Sequence, residues 1–260
     1  MKIDYKSKKW DKEIKEFKKL KEYLWSNQNE QLLIQRFLKD QDFQDFYASL
    51  ALKYNCLADK KYLFDYIDDA IKYTYLSGYA LLLAYCIYKK GPDSNYNRRI
   101  ESLLAGIDYA LYQLIATGEI ENDYISKLDD HLIVLMYHKK YEQVKLKLEQ
   151  LSETPKQSLY YVHPSYLKET YMAIIEHDEK KFNDELVKRI KTYRKNMVGY
   201  SVMIDAVSVA LIKMAQREGI NCTVDVIEIP KQFFDENYAI NVEECKLPYY
   251  DEFLQQGLIE

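Results

Sequence analysis

Carboxylates that lie close together on helices are the first residues in this sequence that could do chemistry. Asp65, Asp68 and Asp69 lie within one turn of the segment DYIDDA, and Asp129 and Asp130 lie on a second predicted helix. Two acidic motifs on facing helices can hold Mg²⁺ together with a diphosphate, because Mg²⁺ prefers carboxylate and phosphate oxygens. Such a site also needs basic residues for the diphosphate, and no such set is recognisable. A solvated acidic helix face is therefore the favoured interpretation.

The histidines and cysteines do not have the spacing of metal ligands. His131 and His138 lie seven residues apart in HLIVLMYH, whereas a zinc protease motif places its two histidines four residues apart with a glutamate between them. We therefore expect hydrogen-bonded or surface histidines. The four cysteines lie far apart and include no C-x-x-C pair, which is typical of unlinked thiols in a reducing compartment. The sequence predicts no metal site.

Asp205 is the one carboxylate that the sequence pattern places in a core. Burial shifts the pKa of a carboxylate, so such a group can be functional. A core acid satisfied by Arg, Lys, Ser or Tyr is the more common case, and it is our interpretation. There is no serine nucleophile elbow, phosphate-binding glycine loop or dinucleotide fingerprint, and the seven glycines are scattered. We expect a protein that is not an enzyme and has no cofactor.

Helical periodicity of the apolar residues predicts the elements that would position these groups. Seven glycines and five prolines in 260 residues also argue against a loop-rich or all-β fold. The predicted helices span residues 8–26, 30–38, 42–54, 59–88, 96–117, 122–138, 141–151, 166–176, 180–195 and 198–218. We expect an all-α fold, an irregular stack of antiparallel helical hairpins with a short extended C-terminal segment.

The strongest later break, SETPKQS, suggests two subdomains. They would be an N-terminal helical subdomain of residues 1–151 and a C-terminal helical subdomain of residues 159–260, or else one continuous domain. Residues 166–194 look like one tetratricopeptide-type helix pair. No fixed period of about 34 residues repeats this pair, so a regular solenoid is not predicted. A helical-repeat adaptor or regulatory protein-binding module is the alternative function.

The predicted helix over 198–218 is apolar on nearly every side, as expected for a helix in the middle of a core. Gly219 ends this helix as a left-handed cap would. Residues 223–229 then alternate between polar and apolar and end at Pro230. We expect them to cross the bundle as an extended segment, with Ile227 and Ile229 as anchors.

The net charge of −4 hides a gradient along the chain. Residues 1–21 carry nine lysines against four acids, and residues 218–260 carry ten acids against two lysines. A solvated amphipathic helix explains the basic end without nucleic acid. The chain starts without a signal-peptide core, and its longest apolar run, residues 79–88, is about half of a membrane span. These features predict a cytoplasmic protein that binds neither membranes nor nucleic acid.

The C-terminal third resembles a known family. IDAVSVALIKMAQREGINCTVDVIEIPKQFF, residues 204–234, together with AIIEHDEKKFNDELVKRIKTYRK, residues 173–195, is similar to the immunity protein 49 family of bacterial polymorphic toxin systems. A second helical immunity family, paired with nuclease toxins, also ends in a buried helix and an extended proline segment, but usually with more Trp and Tyr.

The resemblance implies an all-helical cytosolic protein that binds and neutralises a cognate toxin and carries no catalytic residues. Tyrosine anchors and an acidic surface suit capture of a basic toxin. The candidate partner-binding residues are Asp235, Glu236, Tyr238, Glu243, Glu244, Tyr249, Tyr250, Asp251 and Glu252. These residues could equally pack the C-terminal end onto the bundle.

Overall fold

The computed structural model describes most of the chain from residue 43 onwards. The described residues are 15, 35, 43–63, 65–90, 96–118, 120, 125, 128, 130–151, 164–197, 204–238 and 240–255. Lys15 and Gln35 are helical, and the rest of the helices predicted over 8–26 and 30–38 lies outside the described residues. All regular structure within the described residues is helical, with no strand, which confirms the all-α prediction.

The described residues form α-helices and short 3₁₀ helices. The α-helices are α1 Phe43–Leu63, α2 Ile67–Lys90, α3 Tyr96–Thr117, α4 Leu132–Tyr137, α5 Tyr141–Gln150, α6 Lys168–Ile175, α7 Glu179–Met197, α8 Ala206–Arg217 and α9 Tyr250–Gln255. The 3₁₀ helices are Pro164–Leu167, Lys231–Phe234, Glu236–Tyr238 and Val242–Glu244. Among the described residues, no helix combines the length and the apolar character that a membrane crossing requires.

The helix predicted over 59–88 is interrupted by a tight turn after α1. Helix α1 is also continuous across residues 54–59, where the sequence predicts a gap. Asp65 is left-handed with a φ of 64°, and the backbone N–H of Tyr66 donates to the carbonyl of Lys61 at 2.9 Å. Glycine usually ends a helix in this way, but aspartate also tolerates the left-handed region. The turn therefore has no glycine or proline that would reveal it in the sequence. The two helices that it joins, α1 and α2, pack along each other.

The same kind of turn joins α4 to α5 and α6 to α7. Its left-handed residues are Lys139, with a φ of 57°, and His177, with a φ of 54°. In each case the N–H of the following residue, Lys140 or Asp178, donates at 2.9 Å to the carbonyl five positions earlier. The two helix pairs therefore share one turn geometry at positions 139 and 177, and their separation differs from the period of about 34 residues that is typical of tetratricopeptide repeats.

Glu218, at the end of α8, connects these two turns. Its carboxylate lies 2.5 Å from Nζ of Lys139 and 4.0 Å from Nε2 of His177. Burial acts to raise the pKa of Glu218, but the hydrogen bonds from Lys139 and Tyr141 outweigh it and the pKa is lowered. Gly219 follows with a φ of 78°, the left-handed cap that the sequence predicts. Three helix ends therefore meet at one side of the helix stack.

Helix α8 lies in the core, as predicted, but it is shorter than the predicted span over 198–218. Residues 204 and 205 are not helical, and Asp205 is the N-cap of a helix that begins at Ala206. The helix is buried from Ala206 to Ile212 and packs on α3. One hydrophobic core contains residues of both α3 and α8. Helix α3 belongs to the first predicted subdomain and α8 to the second, so this core spans both. The predicted boundary at 152–158 lies outside the described residues.

Residues 221–229, which we call the strap, follow Gly219 across α7. The strap contains neither helix nor strand and ends in a turn, in which the N–H of Ile229 donates to the carbonyl of Val226 at 3.1 Å. Val226 and Ile229 are buried, whereas Ile227 is only half-buried. The anchors are therefore Val226 and Ile229, because the turn rotates Ile227 away from the core.

A glycine brings α2 close to α3. A Cβ atom on Gly78 would lie 2.9 Å from the carbonyl oxygen of Ala110 and 3.0 Å from Cβ of Gln113. Beside it, the buried side chain of Gln113 donates to Ser77 at 3.1 Å and to Asn55 of α1 at 3.2 Å. The close approach allows α1, α2 and α3 to share this buried polar contact.

Gly78→Ala should lower the free energy of unfolding by about 1–2 kcal/mol, because the added methyl group meets backbone that cannot move without separating α2 from α3. We expect this net loss although alanine adds about 1 kcal/mol of helix propensity. Urea denaturation measures it. Gly106→Ala in α3 is the matched control, since its Cβ would meet only the side chain of Leu81, and it should be neutral or stabilising. Equal losses in both variants would contradict the close approach at Gly78.

Lys213 of α8 places an amine beside the end of α3. Its Nζ lies 3.9 Å from the position that a Cβ on Gly118 would occupy, and burial lowers the pKa of Lys213 from 10.5 to about 8. Between these two pH values the unfolded chain binds more protons than the folded chain. The contribution of Lys213 to the stability should therefore rise as the pH increases through this window.

The variant Lys213→Met isolates this effect. The free energy of unfolding of the native chain minus that of the variant should increase by about 1–3 kcal/mol between pH 8 and pH 10.5, because only the native chain carries the amine. Chemical denaturation at several pH values measures the difference. The exposed Lys180→Met is the control and should show a flat difference, and a flat difference for Lys213→Met would show that its amine is solvated.

Candidate protein-binding surface

Aromatic contacts hold residues 235–255, which we call the C-terminal tail, against α1 and α2. The ring of Tyr249 packs edge-on against Phe46 of α1, with ring centroids 6.1 Å apart. The ring of Tyr250 contacts Tyr79 of α2 at 5.9 Å. Aromatic pairs in these orientations add about 0.5–1.5 kcal/mol each to the gain from burial. The two tyrosines are therefore used in contacts within the chain.

The backbone of the tail is fixed at the same place. The hydroxyl of Tyr47 donates to the carbonyl of Pro248 at 3.0 Å, and Leu247 and Cys245 are buried. Tyr249 is left-handed with a φ of 61°, a conformation that costs a non-glycine residue about 1–2 kcal/mol. The surrounding contacts must supply that energy, so this part of the tail is held in a defined conformation.

Acidic side chains of the tail point away from α1 and α2, into solvent. Asp235, Glu243 and Asp251 are exposed, whereas Tyr238 is half-buried against the core. The Asp235 carboxylate also accepts hydrogen bonds from the backbone and side-chain nitrogens of Asn237, at 2.9 and 2.7 Å. The side chains of three further predicted residues lie outside the described part of the structure; they are Glu236, Glu244 and Glu252. The tail thus presents carboxylates on a backbone held by tyrosines.

Other acids near the C-terminus pair within the chain. Asp225 lies 3.0 Å from Nζ of Lys231, Glu218 binds Lys139 as described, and Glu228 binds an arginine of α7. These three carboxylates add little to the negative field at the surface, because each has a cation next to it. Among the described acids of residues 218–255, those that are exposed without a paired cation therefore lie in the tail.

The pair formed by Glu228 and Arg194 is the best-buried of these contacts. Both carboxylate oxygens of Glu228 accept hydrogen bonds from the Arg194 guanidinium, at 2.6 and 3.0 Å, and Glu228 is 0% exposed. Burial raises the pKa of Glu228 above its ordinary value, although Arg194 opposes the shift. The bidentate geometry offsets part of the cost of burying a carboxylate. It joins the strap to α7.

Asp205 forms a second buried ion pair with α7. It is 1% exposed, and its carboxylate accepts hydrogen bonds from Arg189 at 2.6 Å, from the hydroxyl of Ser208 at 2.6 Å and from the N–H of Ser208 at 3.2 Å. The last bond is that of an N-cap, which satisfies a free N–H at the start of α8. Asp205 therefore starts the core helix and ties it to α7.

Helix α1 completes this buried polar network. Asp59, which is 0% exposed, accepts a hydrogen bond from the N–H of Ile204 at 2.9 Å. The hydroxyl of Tyr62 donates to the carbonyl of Ile227 at 2.8 Å, and burial raises the pKa of Tyr62 to about 12. The sequence pattern singles out only Asp205 of these acids, because Asp59 and Glu228 have partners that lie far along the chain.

The other groups that could do chemistry are not assembled into a site. Asp69 pairs with Lys61 at 2.5 Å, Asp65 and Asp68 are exposed, and Asp129 lies outside the described residues. Of the histidines, His131 contacts Asp108 at 2.8 Å. Within the described residues, no group of three or more His, Cys, Asp or Glu side chains is placed to hold a metal ion. No disulfide links the four cysteines, all of which lie in the described ranges.

Comparison with known proteins finds no protein-family model, no curated protein and no solved structure that matches this chain. The resemblance to the immunity protein 49 family therefore stays a prediction, and so does the function that it implies.

The energetic coupling of the buried pair Arg194–Glu228 can be tested with single and double variants. Arg194→Met should lower the free energy of unfolding by about 3–5 kcal/mol, because it leaves the Glu228 carboxylate buried without its cation. The double variant Arg194→Met/Glu228→Gln should lose clearly less than the sum of the single variants. Chemical denaturation of the four proteins measures the coupling.

An exposed ion pair is the control for this cycle. Lys188→Met removes the surface contact between Lys188 and Glu185 and should change the stability by less than about 1 kcal/mol. Additive losses in the Arg194 and Glu228 cycle would show that the two side chains do not depend on each other.

Proposed function

We propose that this chain is a cytoplasmic immunity protein, which binds a cognate bacterial toxin and neutralises it by direct protein–protein contact. The observation that carries the proposal is the acidic tail, whose exposed carboxylates Asp235, Glu243 and Asp251 stand on a backbone held by tyrosine contacts. A charged surface that is already ordered loses little conformational entropy when a partner binds. Its negative field would also speed the capture of a basic toxin.

The tyrosines have an indirect role in this proposal. Tyr249 and Tyr250 pack on α1 and α2, so they fix the position of the acids, and their half-exposed rings border the contact. Glu236, Glu244 and Glu252 are the further acids that the sequence assigns to this contact. The expected interface is thus more polar than one built on exposed aromatic anchors.

Co-expression is the direct test. The gene next to this one should encode a secreted toxin with a basic toxic domain, and co-expression of this chain should restore growth of bacteria that produce that domain. Purified toxin and purified chain should also form a complex. The proposal fails if the neighbouring toxin still kills in the presence of this chain, or if no neighbouring gene encodes a toxin.

Charge reversal tests the surface. The triple variant Asp235→Lys/Glu243→Lys/Asp251→Lys should slow association with the toxin by about tenfold or more and should weaken the dependence of the association rate on salt. Stopped-flow kinetics at several ionic strengths measure both effects.

A second triple variant is the matched control. It reverses the same number of exposed acids away from the tail, at Glu142, Glu149 and Asp184, so it changes the net charge equally. It should slow association much less. Equal effects of the two triple variants would place the contact elsewhere on the molecule.

A helical-repeat adaptor is the second candidate function. The observation that favours it is the shared turn of the pairs α4–α5 and α6–α7, with left-handed residues at Lys139 and His177. Helix pairs that repeat one geometry are the building units of peptide-binding solenoids. An adaptor would bind a short isolated peptide of its partner as tightly as the whole partner, whereas an immunity protein would require the folded toxin domain.

A further inference from the structure

The amine of Lys213 lies where α8 meets the end of α3, and it differs from the two arginines that α7 contributes to the interior. Arg189 and Arg194 are each paired with a buried carboxylate. Over the described residues, by contrast, no hydrogen bond or ion pair reaches Nζ of Lys213. A charge that is partly desolvated without a partner is unfavourable. The uncharged form of this amine is therefore favoured compared with that of a solvated lysine.

A surface glycine adjoins this amine. Lys213 is half-buried, and Ile212 and Met214 on either side of it are buried. Its Nζ lies 3.9 Å from the position that a Cβ on Gly118 would occupy, and within the described residues nothing else beyond the adjoining backbone lies within 4 Å of that position. Gly118 is exposed and left-handed, with a φ of 91°. Open space at the surface therefore lies directly beside the amine.

An unpaired amine next to open space can act as a nucleophile. Burial lowers the pKa of Lys213 to about 8, so near neutral pH a much larger fraction of this amine is uncharged than in a solvated lysine, whose pKa is about 10.4. Only the uncharged amine has a free lone pair, and buried lysines of lowered pKa are used as nucleophiles for this reason. The proposed toxin contact on the tail does not use this group.

The surroundings of the amine select the kind of electrophile. Carbon dioxide would convert it into a carbamate, which is an anion, and an aldehyde would form an imine, which becomes a cation on protonation. Neither charge would have a counter-ion here within the described residues, and an unpaired charge is unfavourable in a half-buried position. An acyl donor leaves a neutral amide, and a short acyl group can extend into the space beside Gly118. The position therefore suits acyl transfer.

We propose that Lys213 is an acylation site, at which the amine accepts a short acyl group from an acyl thioester. The nitrogen lone pair attacks the carbonyl carbon of the thioester, a C–N bond forms and the C–S bond breaks. The thiolate leaves with the electron pair of the C–S bond and takes up the proton that the nitrogen loses. The products are a neutral amide and a thiol. The modification removes the unpaired charge between α8 and α3, and it needs no other group of the protein.

The test treats the full native chain with acetyl coenzyme A at pH 7.5 and follows each lysine by mass spectrometry. Lys213 should be acetylated at least about tenfold faster than the exposed Lys180 and Lys191. In concentrated urea the three rates should agree within about threefold, because unfolding solvates all three amines.

A matched pair of variants tests the geometry. Gly118→Asp and Gly118→Asn add side chains of nearly equal size, and both residues tolerate the left-handed region better than other non-glycine residues. Only aspartate places a negative charge beside the amine, which favours its protonated form. Lys213 should therefore be acetylated at least about tenfold more slowly in Gly118→Asp than in Gly118→Asn.

Three outcomes would overturn the inference. They are a native chain in which Lys213 reacts no faster than Lys180 and Lys191, an advantage of Lys213 that persists in urea, and equal rates in the two Gly118 variants. The comparison within the native chain needs no variant, so it decides the matter even if the Gly118 variants do not fold. These outcomes leave toxin neutralisation untouched, since that function has its own growth test.

Discussion

The position of helix α7 relative to the strap and to α8 depends on two buried arginine–carboxylate pairs. Arg194 binds Glu228 of the strap, and Arg189 binds Asp205 at the start of α8. A buried carboxylate without its cation is strongly unfavourable, so both arginines must lie where these acids are. The N–H of Asp205 also donates to the carbonyl of Glu228 at 2.8 Å. One polar cluster therefore fixes the start of the core helix and the path of the chain that follows it.

The position of the C-terminal tail follows from that cluster. The strap leaves α7 beside Tyr62 of α1, and the chain then runs onto α1 and α2, where tyrosine rings hold it. Asp225, Glu218 and Glu228 are paired within the chain, so the unpaired exposed carboxylates of the C-terminal region lie on the tail. A surface of this kind suits rapid and specific capture of a basic protein, and it is the physical basis of the proposed immunity function.

Helix ends illustrate why sequence patterns located the helices better than their boundaries. Glycine marks the left-handed end of α8 at Gly219, and that end agrees with the prediction. The sequence also predicts the breaks between 138 and 141 and between 176 and 180, but not the turn at Asp65; at Asp65, Lys139 and His177 the left-handed conformation carries no glycine signal. The shared geometry at positions 139 and 177 was missed for the same reason, because a turn made by different residues leaves no repeated sequence.

The sequence by itself determined the all-helical fold, the burial of α8 and the left-handed cap at Gly219, because these depend on local periodicity and on the backbone freedom of glycine. Only the tertiary structure decided that Asp205 pairs with Arg189, that Glu228 is buried with Arg194, and which acids reach solvent. Each of these depends on partners that are distant along the chain. The sequence specifies the charge and type of each residue, but the packing of the chain determines which residues are its neighbours in space.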